Sequence, residues 1–584
     1  MCLPFFIDEN RYLLIRCIFV VFENRIVMKN LVLLLSCLWF LVVGCSKNSS
    51  TQPVEPKTYT QLTILRATIN GVGVTNGSVV YGIANRPVNV VLTFNAPIVA
   101  DAFIKNSIAF DGSLGTNYQS SIVSGDSALM ITTSVIPTPI SRYSFHVNTG
   151  ILLGGQVASS FACSFVTQLD STAKFPVISD DSLLTVIERG TFRYFWDYAH
   201  PVSGMARERT GSGETVTTGG SGFGIMAILV GIHRGFITRA QGFAQIDKIV
   251  SFLNTDAQTF HGAFPHWMNG STGQVIPFST EDDGGDLVET SYMMEGLLTA
   301  YQFFKNGSTG EQAMCGVIQK LWQNVDWTWY QNGQNTLYWH WSPTYQFAMN
   351  MQIRGYNEAM IAYVLAAASP THSISKAVYD QGWAQNGAIL NGKVFEGVTL
   401  PLGSDYGGPL FFAHYSFLGL DPRNLQDHYA NYWQQNVAQT EINNRFCIRN
   451  PYGWNGYSAQ CWGLTASDSP TGYNAASPTN DQGTIAPTAA LSSMPYTPAQ
   501  SLQAARFFYY QLGDKIWGQY GFVDAFDLSQ AWFSTDANGV QSDLAIDEGP
   551  IICMIENYRS QFLWNLFMQN TDVQNGLTKL GFSY

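Results

Sequence analysis

The chain is 584 residues long, 46% hydrophobic, 14% aromatic and 12% charged, with 30 Lys and Arg against 42 Asp and Glu and a formal net charge of -12. These values exclude disorder, collagen and coiled coil, and acidity without a basic cluster argues against a nucleic-acid partner, since phosphate backbones are held by Lys and Arg. The length suits about four ordinary domains, or one large repeat-built domain with smaller companions. Few charges beside many aromatics fit either an aromatic-rich core or platforms for stacking.

Residues 28–44 read as the signal peptide of a lipoprotein. Lys29 precedes an apolar run from Leu31 to Gly44, short for a bilayer span, and Val42-Val43-Gly44-Cys45 resembles a lipobox. The expectation is cleavage before Cys45 and lipidation of its thiol, placing the protein on a bacterial envelope membrane. The outer membrane is favoured because no acidic residue follows Cys45 directly. Residues 1–27 mix charges among apolar residues and read as an extension from a misassigned start. Past the anchor, Cys163, Cys315, Cys447, Cys461 and Cys553 form an odd scatter, not a disulfide framework. Cys447 and Cys461 flank one loop and are the pair that could bridge; the others read as small buried hydrophobes.

Residues 45–57 are polar and contain two prolines, which suits a tether. From 58 to 170 short β-rich runs alternate with Asn/Gly/Pro/Ser turns, notably Val79-Val80-Tyr81, Val88 to Phe94, Ala128 to Thr133 and Tyr143 to Val147. That spacing predicts a small immunoglobulin-like sandwich, read as a spacer.

From 180 to 584 the periodicity is helical. Twelve helices are predicted at about 181–198, 220–234, 238–254, 285–304, 310–326, 355–368, 373–384, 408–419, 424–439, 481–493, 497–512 and 546–569. Links after even-numbered helices are a few residues, and those after odd ones are roughly twenty to forty, longer than compact domains usually tolerate without a purpose. Even helices are apolar nearly all round, as in Phe223 to Val230, while odd ones are amphipathic. Inner and outer helices in alternation predict an all-α six-hairpin (α/α)6 toroid with every long loop at one end; a superhelix that does not close is the alternative.

Carboxylates on apolar inner helices are costly to bury unless paired or functional. Asp282, Asp283, Asp286 and Glu289 crowd the entry to the fourth helix, Glu358 opens the sixth and Asp547 the twelfth. A single acid there is often only a helix cap, but four at one junction exceed what capping needs. Paired acids across a cleft suit glycoside hydrolysis, in which one protonates the leaving oxygen and the other activates water or attacks. Aromatics in the long loops, His266-Trp267, Trp341, Tyr406, Trp454 and Trp462, suit sugar stacking, with Arg354 and Asp405 beside them as polar partners. The histidines offer no metal-binding spacing, and no P-loop, dinucleotide fingerprint or Gly-x-Ser-x-Gly occurs, so no metal and no cofactor are expected.

Over residues 180–584 the chain resembles the glycoamylase-like domain family, and within it the bacterial β-1,2-glucan hydrolases of glycoside hydrolase family 144. The resemblance rests on Thr217-Thr218-Gly219-Gly220-Ser221-Gly222-Phe223-Gly224, Asp282-Asp283-Gly284-Gly285-Asp286-Leu287-Val288-Glu289-Thr290, Gly355-Tyr356-Asn357-Glu358-Ala359, Asp405-Tyr406-Gly407-Gly408-Pro409-Leu410 and Asp547-Glu548-Gly549-Pro550, in that order. It implies a six-hairpin barrel, a carbohydrate pocket at the long-loop end and hydrolysis with inversion, with Asp282, Asp286, Glu289 and Glu358 matching the essential acids. The sixth and twelfth helices stand opposite in such a ring. Glu358 is therefore expected as general acid, with Asp547 or Asp286 as base. The expected partners are a glucan and, through the anchor, a membrane, with the chain as a monomer. Two other readings remain at this point: a surface lipoprotein that captures glycan without cutting it, and a lyase or uronyl hydrolase using Arg207, Arg209, Arg354, Arg445 and Arg449 to hold uronates.

Overall fold

The computed structural model describes residues 57–99 and 104–584. Residues 1–27, the signal segment 28–44, Cys45 and all but the last residue of the tether lie outside the described residues. Among the described residues no helix is long and apolar enough to cross a membrane.

Strands between Gln61 and Thr167 form a β-sandwich. One sheet has the order Val72–Val74, Ile64–Ile69, Asn89–Phe94, Ala128–Thr133, Tyr118–Val123, and its neighbours run antiparallel. A second has the order Val79–Ile83, Phe161–Thr167, Arg142–Val147, Ile108–Phe110, and a small third joins Gln61–Leu62, Gly155–Val157 and Gly150–Leu152. In the second, the pairing of Phe161–Thr167 with Val79–Ile83 is parallel. Period-2 alternation brings Val90, Leu92, Phe94, Ile131, Phe145 and Phe165 inward, where they share one core. The four β-rich runs seen in the sequence are all strands.

Helices follow, in chain order: α1 (Asp180–Asp197), α2 (Thr218–His233), α3 (Arg239–Thr255), α4 (Leu287–Phe304), α5 (Thr309–Asn324), α6 (Met360–Ala368), α7 (Tyr432–Arg449), α8 (Pro487–Leu491), α9 (Pro498–Tyr510), α10 (Ala545–Ser560), α11 (Phe562–Met568) and α12 (Thr571–Leu580). The apolar helices are the inner ones: α2 is buried from Thr218 to Gly231 and α6 along its whole length. Helix α2 packs against α4 on one side and α10 on the other, and α4 continues to α6. The α2–α4 contact is backbone to backbone. A Cβ on Gly222 would lie 2.2 Å from the Tyr292 carbonyl oxygen, and one on Gly296 2.2 Å from that of Gly222, so the glycine-rich run is required by the close approach. The outer helices start sharply, with capping boxes at Thr238 and Ser308.

Several predicted boundaries are corrected. Residues 408–419 are not a continuous helix but two 3-10 turns, Leu410–Ala413 and Tyr415–Phe417, entered through Gly407 and Gly408 at positive φ. The helix placed at 424–439 begins only at Tyr432 and runs to Arg449. Asp427 Oδ1 accepts from the N–H groups of Tyr429 and Ala430, holding a turn that Asn431 then ends by capping the helix through Gln434 N. The helix placed at 355–368 begins at Met360, because Gly355 adopts φ 76° and Asn357 accepts from Ala359 N. The last predicted helix breaks at Gln561, in the left-handed region, and α12 was not anticipated. Cys447 and Cys461 are buried free thiols.

Candidate active site

The long links carry the polar centre. Gly285–Asp286 pairs antiparallel with His340–Trp341, which brings the loop before α4 onto the loop after α5. Asp286 is the N-cap of α4: its Oδ1 accepts from Val288 N and Glu289 N, both at 2.9 Å. Its Oδ2 is 3.0 Å from His266 Nδ1, 3.4 Å from His340 Nε2 and 3.2 Å from Trp339 Nε1, which donates to it. His340 Nε2 is also 3.0 Å from Asp282 Oδ2. Sequence reasoning placed Asp286 and Glu289 together on one helical face; Asp286 instead precedes the helix, and both its oxygens are fully engaged.

Electrostatics follow from these contacts. Burial alone would raise the Asp286 carboxyl, but hydrogen bonds and charge from His266 and His340 overcome it and hold Asp286 well below the usual carboxylate range. Burial would likewise lower both imidazoles, yet the facing acids win. His266 rises to about 9, chiefly through Glu289 and Asp286, and His340 to about 10 through Asp282 and Asp286. His266, Asp282 and Asp286 offer ligand atoms within 4.8 Å of one another. The set is held together by His266 against Asp286 and by His340 against both Asp282 and Asp286.

Glu289 is 7% exposed, and its Oε2 accepts from Gly219 N at 2.6 Å and from Thr217 Oγ1 at 3.4 Å. A Cβ on Gly219 would stand 2.6 Å from that oxygen, so only glycine lets the acid reach the backbone. Burial raises Glu289, partly countered by His266. Glu358, in the turn before α6, is half-buried, and burial pushes it up to about 7. Its carbonyl accepts from Tyr292 Oη at 3.3 Å and from Ser416 Oγ.

Asp547, in the first turn of α10, is 2% exposed and pushed by burial up to about 7. Its Oδ1 accepts from Tyr415 Oη at 3.3 Å, while its Oδ2 is buried and, among the described residues, meets no partner other than the carboxyl of Asp524. Tyr415 and Tyr292 meet edge to face at 5.7 Å and both touch Phe223, so one aromatic cluster links the Glu358 and Asp547 positions. A cleft of about 580 Å³ is lined by Arg209, Trp267, Asp468, Trp532 and Asp536; neither Glu358 nor Asp547 is part of its lining.

Of the other predicted sugar-binding residues, Trp267 lines the cleft and the rest lie outside its lining. Trp267 is half-buried beside Phe278 at 4.8 Å, and Trp341 beside His261 at 4.7 Å, with its Nε1 donating to Gln346 Oε1. Asp283 has one buried oxygen without a hydrogen bond among the described residues, and Arg354 is exposed. Asp405 is exposed and paired with Lys393 at 2.9 Å, Tyr406 lies against Phe395, and Trp454 Nε1 donates to Asp481 Oδ2. Trp462 is corrected: it is 0% exposed in the core beneath α8 and α9, so it cannot stack on a sugar. The basic residues that a uronate site would need are mostly engaged. Arg207 donates to the Tyr198 carbonyl, Arg209 to Glu208 and Asp468, Arg445 to Glu441 and Arg449 to Glu396. His340, Tyr292, Tyr415, Asp468 and Asp524 were missed as site residues. His340 stands between Trp339 and the predicted Trp341 and carries a signal as an imidazole between aromatics; the others sit singly in apolar or loop sequence and carry none.

A family model described as "Putative glucoamylase" matches residues 350–571. An endo-β-1,2-glucanase from Chitinophaga pinensis, solved with sophorotriose and glucose, is 52% identical, with a TM-score of 0.68 over 70% of this chain and 99% of that one. The chain belongs to the glycoamylase-like family. A β-1,2-glucanase structure from Parabacteroides distasonis is 36% identical, with a TM-score of 0.67, over 87% of this chain and 73% of that one. An exo β-1,2-glucooligosaccharide sophorohydrolase acting at the non-reducing end, also from Parabacteroides distasonis, is 44% identical over 437 residues, 71% of this chain. The chain spans 60% of that curated relative's length.

Proposed function

We propose that this protein is an inverting glycoside hydrolase acting on β-1,2-glucan or its oligosaccharides, with Glu358 as general acid and Asp547 as the base that activates water. The observation that carries this is the contrast between acids. Asp286 has spent both oxygens on two N–H groups, two imidazoles and an indole, so it anchors the site and is withdrawn as a base. Glu358 remains partly accessible and is raised to about 7, which suits a proton donor near neutral pH. The Asp547 carboxyl meets only Tyr415 and the neighbouring acid Asp524 among the described residues, against five donors at Asp286, and is linked to Glu358 through the Tyr415–Tyr292 contact. Glu289, between His266 and Gly219, is assigned to hydroxyl binding, and Trp267 to stacking at the cleft wall.

The linkage comes from the named activities of the relatives at 36–52% identity. We read the helices as six hairpins closing into an (α/α)6 ring, supported by the return of α10 onto α2. The sandwich is assigned to the immunoglobulin-like class as a spacer behind a Cys45 lipid anchor. The test is incubation with linear β-1,2-glucan, with products separated by length and the first-formed anomer followed by NMR. α-Anomeric products are expected; β-anomers would overturn inversion, and binding without products would favour glycan capture.

A further inference from the structure

Asp547 stands beside a second buried acid that the proposed reaction does not use. Asp524, on the link between Gly521–Phe522 and Phe526–Asp527, is 3% exposed and shares a side-chain hydrogen bond with Asp547. Two carboxyl groups in such contact cannot both be ionised without strong repulsion, so one proton lies between them. Asp524 Oδ1 and Asp547 Oδ2 are both buried and have no other hydrogen bond among the described residues, which leaves each oxygen to the opposite acid.

The surroundings of the pair are unequal. Asp547 lies in the first turn of α10, where the helix dipole favours negative charge, and accepts from Tyr415 Oη. Asp524 faces Asp468. The Asp468 N–H pins Asp524 Oδ2 at 2.6 Å, while the Asp468 carboxylate is paired to Arg209 at 3.0 Å and accepts from Ser534 Oγ and Ser542 Oγ. A charge on Asp524 would therefore sit against the charge of Asp468. Of the other ionisable groups around the pair, Glu548 and Asp543 are acids that bring no positive charge, and the Tyr473 phenol faces the same cluster. Arg209 is divided between Glu208 and Asp468.

We propose that Asp524 is the protonated partner of Asp547, donating its carboxylic O–H to the Asp547 carboxylate and thereby orienting the base and keeping it ionised. It is a positioning residue, held in turn by the Asp468–Arg209 pair at the cleft wall. The inference rests on the assignment of Asp547 as base.

The test compares kcat/KM against pH for the full chain and its Asp524→Asn, Asp524→Leu and Asp547→Asn variants on β-1,2-glucooligosaccharides. An asparagine amide can still donate, so Asp524→Asn is expected to keep turnover within ~10-fold, with the acid limb moved slightly upward in pH. Leucine cannot donate, so Asp524→Leu is expected to move that limb up by about one unit and lower kcat by ~10²-fold with KM little changed. An acid limb unmoved in both Asp524 variants, with Asp547→Asn inactive, overturns the inference and leaves the base assignment standing. Asp547→Asn at full turnover overturns the base assignment itself. If the leucine variant fails to fold, the asparagine variant decides: a fixed limb counts against the proposal and an upward shift supports it.

Discussion

Two acid clusters sit at helix N-termini in this molecule, and they are built on opposite plans. Before α4, Asp282, Asp286 and Glu289 face two imidazoles, so charge is matched and Asp286 stays ionised. At the start of α10, Asp524, Asp543, Asp547 and Glu548 are buried with no matched set of cations, and all four are pushed up. The difference teaches that acid count alone does not locate the chemistry. An acid whose hydrogen-bonding capacity is exhausted holds the site, and one kept short of partners remains able to exchange a proton.

The most damaging way to break this contrast is at the proposed proton donor. Glu358→Gln is expected to lose ~10³-fold or more in kcat while still binding oligosaccharide, measured by turnover and calorimetry. In the parent protein, Glu358 must be protonated to act, so kcat should decline as pH rises through about 7; a flat profile from pH 6 to 9 would remove it as the acid. Asp286→Ala should fail differently. It strips a helix cap and leaves His266 and His340 charged beside a lost partner, so a stability loss of about 3–5 kcal/mol is expected in denaturant unfolding.

A third measurement sharpens the comparison through stability. The folded chain holds protons on His266 and His340 up to about 9 and 10, and on Asp543 and Asp547 up to about 7, above the ordinary values for these groups. The folded state therefore binds more protons than the unfolded one. Stability should be greatest in mildly acidic solution, fall as pH passes through about 7, and fall again toward 9 to 10. A thermal midpoint rising from pH 6 to 9 would contradict that sign. The smallest effect expected is from Trp462→Phe, which should cost modest stability and leave KM unchanged, whereas Trp267→Ala should raise KM; equal KM effects would return Trp462 to the site.

How much was readable without coordinates varied with the kind of signal. Inner helices α2 and α4 were legible because their apolar runs are long. The stretch at 408–419 was not, because an apolar sequence supports 3-10 turns as readily as a helix when glycines at positive φ lead into it. Glu358 and Asp547 were legible as acids amid apolar sequence. Trp462 misled, since a loop tryptophan stacks on sugar or fills a core with equal ease, and only the packing around α8 and α9 separates these outcomes.

The sequence by itself determined the β-rich and helical regions, the buried character of the apolar helices α2 and α6, and the acids placed near helix starts after long links, because periodicity and the cost of burying charge act along the chain. Only the tertiary structure decided which acids are matched and which are not. His266, His340, Asp468 and Asp524 come from separate links, and a carboxyl group's readiness to take or give a proton is set by neighbours brought in from far along the chain.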